Sequence, residues 1–216
     1  MKPKLDTVVV DYGLGNLFSV EQALAHCGAA VTTSSDPDVV AGADRLVLPG
    51  VGAFADGMQR LSQKSLTAAI LEFAAGGSPL LGICLGMQVL FDESEEFGRH
   101  EGLHLIAGKV EAIPARKPDG TPRRIPHVGW SPLLPSPAGK PWAGTLLERT
   151  PPGASVYFLH SYATHPTDPL HQLAVAEYDG IRICAVVQRE NIVGCQFHPE
   201  KSGPVGLAIL SRFLSA

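Results

Sequence analysis

The chain has 216 residues, 45% apolar and 18% charged, with 17 basic against 21 acidic residues and a net charge of −4. That size and composition fit a single compact domain over 1–216, with no charge excess for nucleic-acid or membrane-surface binding. The apolar run in MKPKLDTVVVDYG is too short for a signal-peptide core or a membrane span, and Cys27, Cys84, Cys184 and Cys195 form no CxxC pair; the expectation is a cytoplasmic protein with four free thiols, three of them small core residues.

The first half alternates strand and helix. Thr7 to Asp11 is an apolar run bounded by Gly13 and reads as a buried strand. Asn16 can cap the helix that follows, whose Leu17, Val20, Leu24 and Cys27 share one face, with Gly28 as its stop. Ala30 to Thr33 and Arg45 to Leu48 are strands, the latter ending in Pro49-Gly50. Leu61 to Ala75 reads as one helix stopped by Gly76-Gly77, Pro79 to Ile83 as a strand, and Leu85 to about Phe91 as a helix. This order implies an α/β fold with a central, mostly parallel sheet flanked by helices.

The second half is different. From Gly102 to Pro141 Pro and Gly are frequent and helical periodicity is absent; the basic cluster Arg116-Lys117 and Arg123-Arg124 within it reads as a solvated loop. Strand-like runs follow at Ser155 to Thr164, Gln172 to Tyr178, Ile181 to Gln188 and Ile192 to Phe197. Asp179-Gly180 signals a hairpin, and Ser202 to Leu214 closes the chain as a helix. The expectation is one domain with an antiparallel extension.

Three segments carry chemistry. In PLLGICLGMQ, residues 79 to 88, a buried strand runs through Gly82, Cys84 and Gly86 into a helix. That is a nucleophile-elbow pattern with Cys in place of Ser. The helix N-terminus would support a thiolate, and the Leu85 amide would face an oxyanion. Alone, the segment is equally a buried cysteine beside a tight turn. In GCQFHPEKSG, residues 194 to 203, His198 and Glu200 stand two apart. In an extended segment they share a face, so Glu200 can hold one ring nitrogen while the other serves the thiol. In LVLPGVGAF, residues 46 to 54, glycines at 50 and 52 let backbone amides approach a ligand and offer a second oxyanion donor. The GLG at 13 to 15 lacks the rest of a dinucleotide fingerprint, and His160, His165 and His171 match no zinc spacing. Neither a nucleotide cofactor nor a metal is expected.

In this order the segments resemble the class I, triad-type glutamine amidotransferases. DYGLGN at 11 to 16, LPGVGAF at 48 to 54, GICLGMQVLF at 82 to 91, HVGW at 127 to 130, HSYA at 160 to 163 and QFHPEKSG at 196 to 203 are similar to the glutaminase subunits of imidazole glycerol phosphate synthases. The resemblance implies a flavodoxin-like fold, with Cys84 as nucleophile, His198 as general base and acid, and Glu200 as orienting carboxylate. It implies oxyanion donors at Gly52 and Leu85, and glutamine contacts from Gly50, Gly52, Gln88, Ser161 and Tyr162. Asn16 and Lys201 would face a TIM-barrel cyclase subunit in a heterodimer. No cofactor is implied. Ala163 stands where the family's pattern has a second aromatic residue, and the stretch 131–152 has no counterpart to carry across. A free-standing cysteine hydrolase and a non-catalytic scaffold on the same fold are the competing readings.

Overall fold

The computed structural model describes residues 6–138 and 140–215. Its spine is an eight-stranded sheet. The strands are β1 (Asp6–Val10), β2 (Ala30–Ser34), β3 (Arg45–Leu48), β4 (Leu80–Ile83), β9 (Leu134–Pro135), β12 (Gln172–Tyr178), β13 (Ile181–Arg189) and β14 (Ile192–Cys195). Their order is β2-β1-β3-β4-β14-β13-β12-β9. The first five are parallel and the rest antiparallel. The parallel half with its antiparallel extension is the architecture the sequence implies.

Alternation along the parallel strands builds two cores. Val8, Val10, Leu46 and Leu48 face one side, where they meet Phe54, Leu61, Ile70 and Phe73 of helices α3 (Phe54–Gln63) and α4 (Leu66–Ala75). Val9, Val47 and Leu81 face the other, where they meet Val20 and Leu24 of α1 (Leu17–His26) and Ile209, Leu210 and Phe213 of α6 (Gly203–Phe213). A strand buried on both faces needs no polar alternation, so its sequence is a continuous apolar run. The Asn16 side chain accepts from Ser19 N at 3.3 Å and caps α1 as expected.

Two smaller sheets accompany the eight-stranded one among the described residues. One has the order β11-β7-β5-β6, built from β5 (Phe91–Ser94), β6 (His100–Glu101), β7 (Ile106–Ala112) and β11 (Tyr162–Pro166). The other is an antiparallel ribbon of β8 (His127–Pro132) and β10 (Ser155–His160).

The structure corrects several expectations. The helix read as Leu61 to Ala75 is two helices, split where Ser65 takes φ 58°. A short α2 (Pro37–Ala41) was not anticipated, although Asp36 caps it and proline opens it. The helix expected to reach Phe91 is α5 (Leu85–Gln88), a single turn. The carbonyls of Val89 and Leu90 that would extend it accept instead from Leu103, Leu105 and Ile106. The run Ser155 to Thr164 is two strands in different sheets, joined at Ser161. Arg123, expected in a solvated loop, is 5% exposed and donates to the carbonyls of Pro114, Arg116 and Asp179. Cys184 and Cys195 are core residues, whereas Cys27 is only half-buried.

Candidate active site

The C-terminal ends of β3, β4 and β14 lie side by side in the sheet, which is where a parallel α/β fold gathers its reactive groups. From β4 the chain turns sharply at Cys84, whose φ of 55° and ψ of −108° lie outside the ordinary regions for a side chain with a Cβ. The turn is tight because the backbone after it presses against β3. A Cβ at Gly86 would overlap the Leu48 carbonyl, so only glycine fits there. With α5 a single turn, the dipole behind the sulfur is that of one turn and not of a full helix.

Cys84 lies in the wall of a cavity of 270 Å³, shared with Val51, Gly52, Leu85, Gln88, Glu96, Leu159, Ser161 and Tyr162. Of the expected substrate contacts, Gly52, Gln88, Ser161 and Tyr162 are in this wall. Gly50 is not; it is buried, and a Cβ there would overlap the Tyr12 hydroxyl. Tyr12 donates to the Pro49 carbonyl at 2.6 Å. Burial and the nearby Cys84 push its phenol up, so it stays a donor. The two expected oxyanion donors differ in state. Gly52 lies in the cavity wall, whereas the Leu85 amide donates to the Gly50 carbonyl at 3.3 Å.

His198 and Glu200 are brought to Cys84 from β14, but not on an extended strand. Pro199–Lys201 forms a 3-10 turn, and that turn swings Glu200 back so that its Oε1 meets His198 Nδ1 at 2.9 Å. Both side chains are almost wholly buried, at 3% and 1% exposure. Burial works against a charged ring, but the neighbouring Cys84 and Glu200 outweigh it and raise His198 to about 9. Among the described residues, no group meets hydrogen-bond geometry with His198 Nε2 or Glu200 Oε2, although Cys84 is close enough to raise His198. The Cys84 sulfur is 3.8 Å from the Leu159 carbonyl and 3.8 Å from Gln196 Nε2.

Glu96 and Gln196 were missed by sequence reasoning. Glu96, 9% exposed, is the carboxylate of the cavity wall, and its Oε2 accepts from Phe54 N at 2.6 Å. Nothing local in the sequence distinguishes it from Glu93 or Glu95. Gln196 precedes His198 by two residues, and that spacing was a usable signal. Asn16 and Lys201 are both exposed, Asn16 at the start of α1 and Lys201 in the turn after Glu200.

A family model of glutamine amidotransferase class-I matches residues 8–216. The imidazole glycerol phosphate synthase subunit HisH of Legionella pneumophila is 50% identical over 206 residues, covering 95% of this chain and 97% of that one. The HisH subunit of Syntrophotalea carbinolica is 45% identical over 208 residues, with 95% and 98% covered. Among solved structures, PurLQS from Thermotoga maritima superposes with a TM-score of 0.72 at 17% identity over 99% of each chain. A putative GMP synthase protein from Thermoplasma acidophilum gives 0.69 at 18% identity, covering 100% of this chain and 94% of that one. Those two likenesses establish the fold.

Proposed function

The chain belongs to the class-I glutamine amidotransferase family and, within it, to the HisH subunits of imidazole glycerol phosphate synthase, and from that premise we propose that Cys84 hydrolyses glutamine through a thioester and supplies the ammonia to a cyclase subunit. The observation that carries this reading is the buried His198–Glu200 pair, 2.9 Å apart, set beside a cysteine held in a strained turn on the cavity wall.

The Cys84 thiolate attacks the side-chain carboxamide carbon of glutamine. The developing oxyanion is received by backbone amides at Leu85 and Gly52. His198 gives its Nε2 proton to the departing nitrogen, which leaves as ammonia and a thioester remains. His198 then takes a proton from water, which adds to the thioester. Glutamate leaves and the thiolate is restored. Glu200 accepts from Nδ1 throughout, which fixes the ring's orientation and offsets its positive charge. Glu96 supplies the carboxylate that an α-ammonium group requires, and Gln88 and the Ser161-Tyr162 backbone supply polar contacts for the rest of the amino acid.

Release into a partner is supported by the surface next to the site. In the β8/β10 ribbon Val128 is paired with Leu159 and Trp130 with Tyr157. Val128, Trp130 and Leu159 are 46%, 58% and 39% exposed, and the Leu159 carbonyl touches the Cys84 sulfur. An exposed apolar face rooted in the site suits a permanent protein partner. The partner we propose is a TIM-barrel cyclase subunit in a heterodimer, consuming the ammonia with a ribulosyl-phosphate imidazolecarboxamide nucleotide to give imidazole glycerol phosphate and an aminoimidazole nucleotide for histidine synthesis. Four free thiols suit a cytoplasmic setting. Among the described residues no helix is long and apolar enough to cross a membrane.

The test is a glutaminase assay of the chain alone, with a purified cyclase partner, and with that partner and its nucleotide. Activation by the partner supports the reading. Full activity in isolation favours a free-standing hydrolase, and no activity with partner and nucleotide favours a scaffold.

A further inference from the structure

We propose that Gln196 is a positioning residue for the nucleophile, its carboxamide nitrogen donating to the Cys84 sulfur in an orientation dictated by the backbone carbonyl of Tyr162. The proposal rests on the reading of Cys84 as the nucleophile.

A carboxamide has one accepting and one donating end, and its partners decide which is which. The Tyr162 carbonyl can only accept. Gln88 Nε2 lies 3.1 Å from it, so that end of Gln88 is the NH₂. The same nitrogen lies 3.1 Å from the Gln196 carboxamide, which must therefore present its oxygen. The nitrogen of Gln196 is left facing the sulfur at 3.8 Å. The reversed orientation would set two NH₂ groups against each other in a place where Gln196 is fully buried and water cannot mediate.

The Tyr162 carbonyl is itself fixed from behind. It also accepts from His160 Nδ1 at 2.8 Å. His160 Nε2 is then an acceptor for His127 Nδ1 at 3.1 Å, and His127 Nε2 an acceptor for the Ser131 hydroxyl at 3.0 Å. Burial lowers both rings, to about 3 and about 4, so each stays neutral near pH 7 and the direction of the chain holds. A single hydrogen-bond direction thus runs from Ser131 of the exposed ribbon to the carbonyl that sets both glutamines.

The sulfur needs such a donor. The other hydrogen bond of the sulfur among the described residues is to the Leu159 carbonyl, which accepts from a thiol but repels a thiolate. His198 supplies a neighbouring charge, but among the described residues its Nε2 is not aligned for a hydrogen bond, and α5 is only one turn. A neutral NH₂ facing the sulfur favours the charged form without adding a competing charge.

The experiment is site-resolved alkylation of Cys84 by iodoacetamide in the full-length chain, followed by peptide mass analysis across pH, with steady-state glutaminase kinetics in the presence of the cyclase partner. Gln196→Met keeps similar volume and removes the donor. Gln196→Glu keeps the shape and sets a carboxylate against the sulfur. The other titratable groups around Cys84, namely His198, Glu200, Tyr12, His160 and Glu96, are unchanged in both variants.

The pH of half-maximal alkylation is expected to rise by about one unit in Gln196→Met, equivalent to roughly a tenfold slower reaction at fixed pH below it, and further in Gln196→Glu. A drop in kcat with little change in KM accompanies it, since Gln88 keeps its Tyr162 contact. If the midpoint moves in neither folded variant, Gln196 only packs and the proposal falls. If instead Cys84→Ser retains glutaminase activity, the nucleophile assignment fails, and the two failures are distinct.

Discussion

The Leu85 amide donates to the Gly50 carbonyl at 3.3 Å, so the group proposed to receive an oxyanion is already engaged by the neighbouring loop. The Gly50–Val51 peptide therefore points its carbonyl, not its N–H, toward the elbow. Tyr12 pins the preceding Pro49 carbonyl at 2.6 Å, which confines any reorientation to the bonds about Gly50 and Val51.

The isolated chain is accordingly expected to hydrolyse glutamine slowly. One missing oxyanion donor costs about 2.7–4 kcal/mol, or roughly 10²–10³ in rate. Partner and nucleotide should recover that factor in kcat by turning the peptide. Gly50→Ala places a methyl group against the Tyr12 hydroxyl and 3.0 Å from Leu85 Cβ, so it should lose the response to the partner, with Tyr12→Phe restoring part of it. Activation left intact by Gly50→Ala would reject the rotation.

Cys84→Ser and Cys84→Ala should abolish glutamine hydrolysis while circular dichroism and partner binding stay as in the parent chain. Cys27→Ala, Cys184→Ala and Cys195→Ala should remain active. The fully buried Cys195 should lose about 1 kcal/mol or more of stability in a denaturant melt, and half-buried Cys27 less. Activity that survives at position 84 but vanishes at another cysteine would move the nucleophile.

Glu200→Gln should lower kcat strongly without removing it, because the amide still reaches Nδ1 but carries no charge and permits the wrong tautomer. It also tests linkage. His198 is raised to about 9, above its unfolded value near 6.5, so its charge contributes stability that is complete below about pH 6.5 and lost as pH rises through about 9. Melting curves of the parent chain and Glu200→Gln should therefore converge between pH 7 and pH 9. Curves that stay parallel would show that Glu200 is not what holds the proton.

The neutral pair His127 and His160 predicts the opposite limb. Both are lowered, to about 4 and about 3, so the unfolded chain binds protons that the folded chain refuses as pH falls below about 6.5. The loss from the deeply buried His160 should be on the order of 3 kcal/mol by pH 4. Thermal melts from pH 7 to pH 4 should show that loss, and His160→Gln should flatten the curve. An equal acid slope in parent and variant would count against a neutral ring at 160.

Trp130→Ala should weaken association with the cyclase partner by on the order of 2 kcal/mol while leaving the melting temperature of the isolated chain nearly unchanged, because the ring is 58% exposed. Calorimetric titration against the purified partner measures it. Unaltered affinity would place the docking face elsewhere than on the β8/β10 ribbon.

The sequence by itself determined the parallel half of the sheet, because strands buried on both faces must be apolar without interruption, and Val8 to Val10, Leu46 to Leu48 and Leu80 to Ile83 have no polar residue to break the pattern. It also offered Cys84, His198 and Glu200 as the proposed reactive groups, because their residue types and flanking glycine or proline are local properties. The tertiary structure decided whatever depends on a partner distant in the chain. The end of α5 was set by residues 103 to 106 capturing the carbonyls of Val89 and Leu90 just beyond it, and the division of 155 to 164 by two different sheets claiming its halves. Glu96 reached the cavity wall because the loop after β5 folds beside Phe54, and Gln196 acquired a direction because a carbonyl 34 residues away, at Tyr162, fixed Gln88 first. Hydrogen-bond direction and cavity shape are set by atoms brought together from separate segments, so no window of sequence contains them.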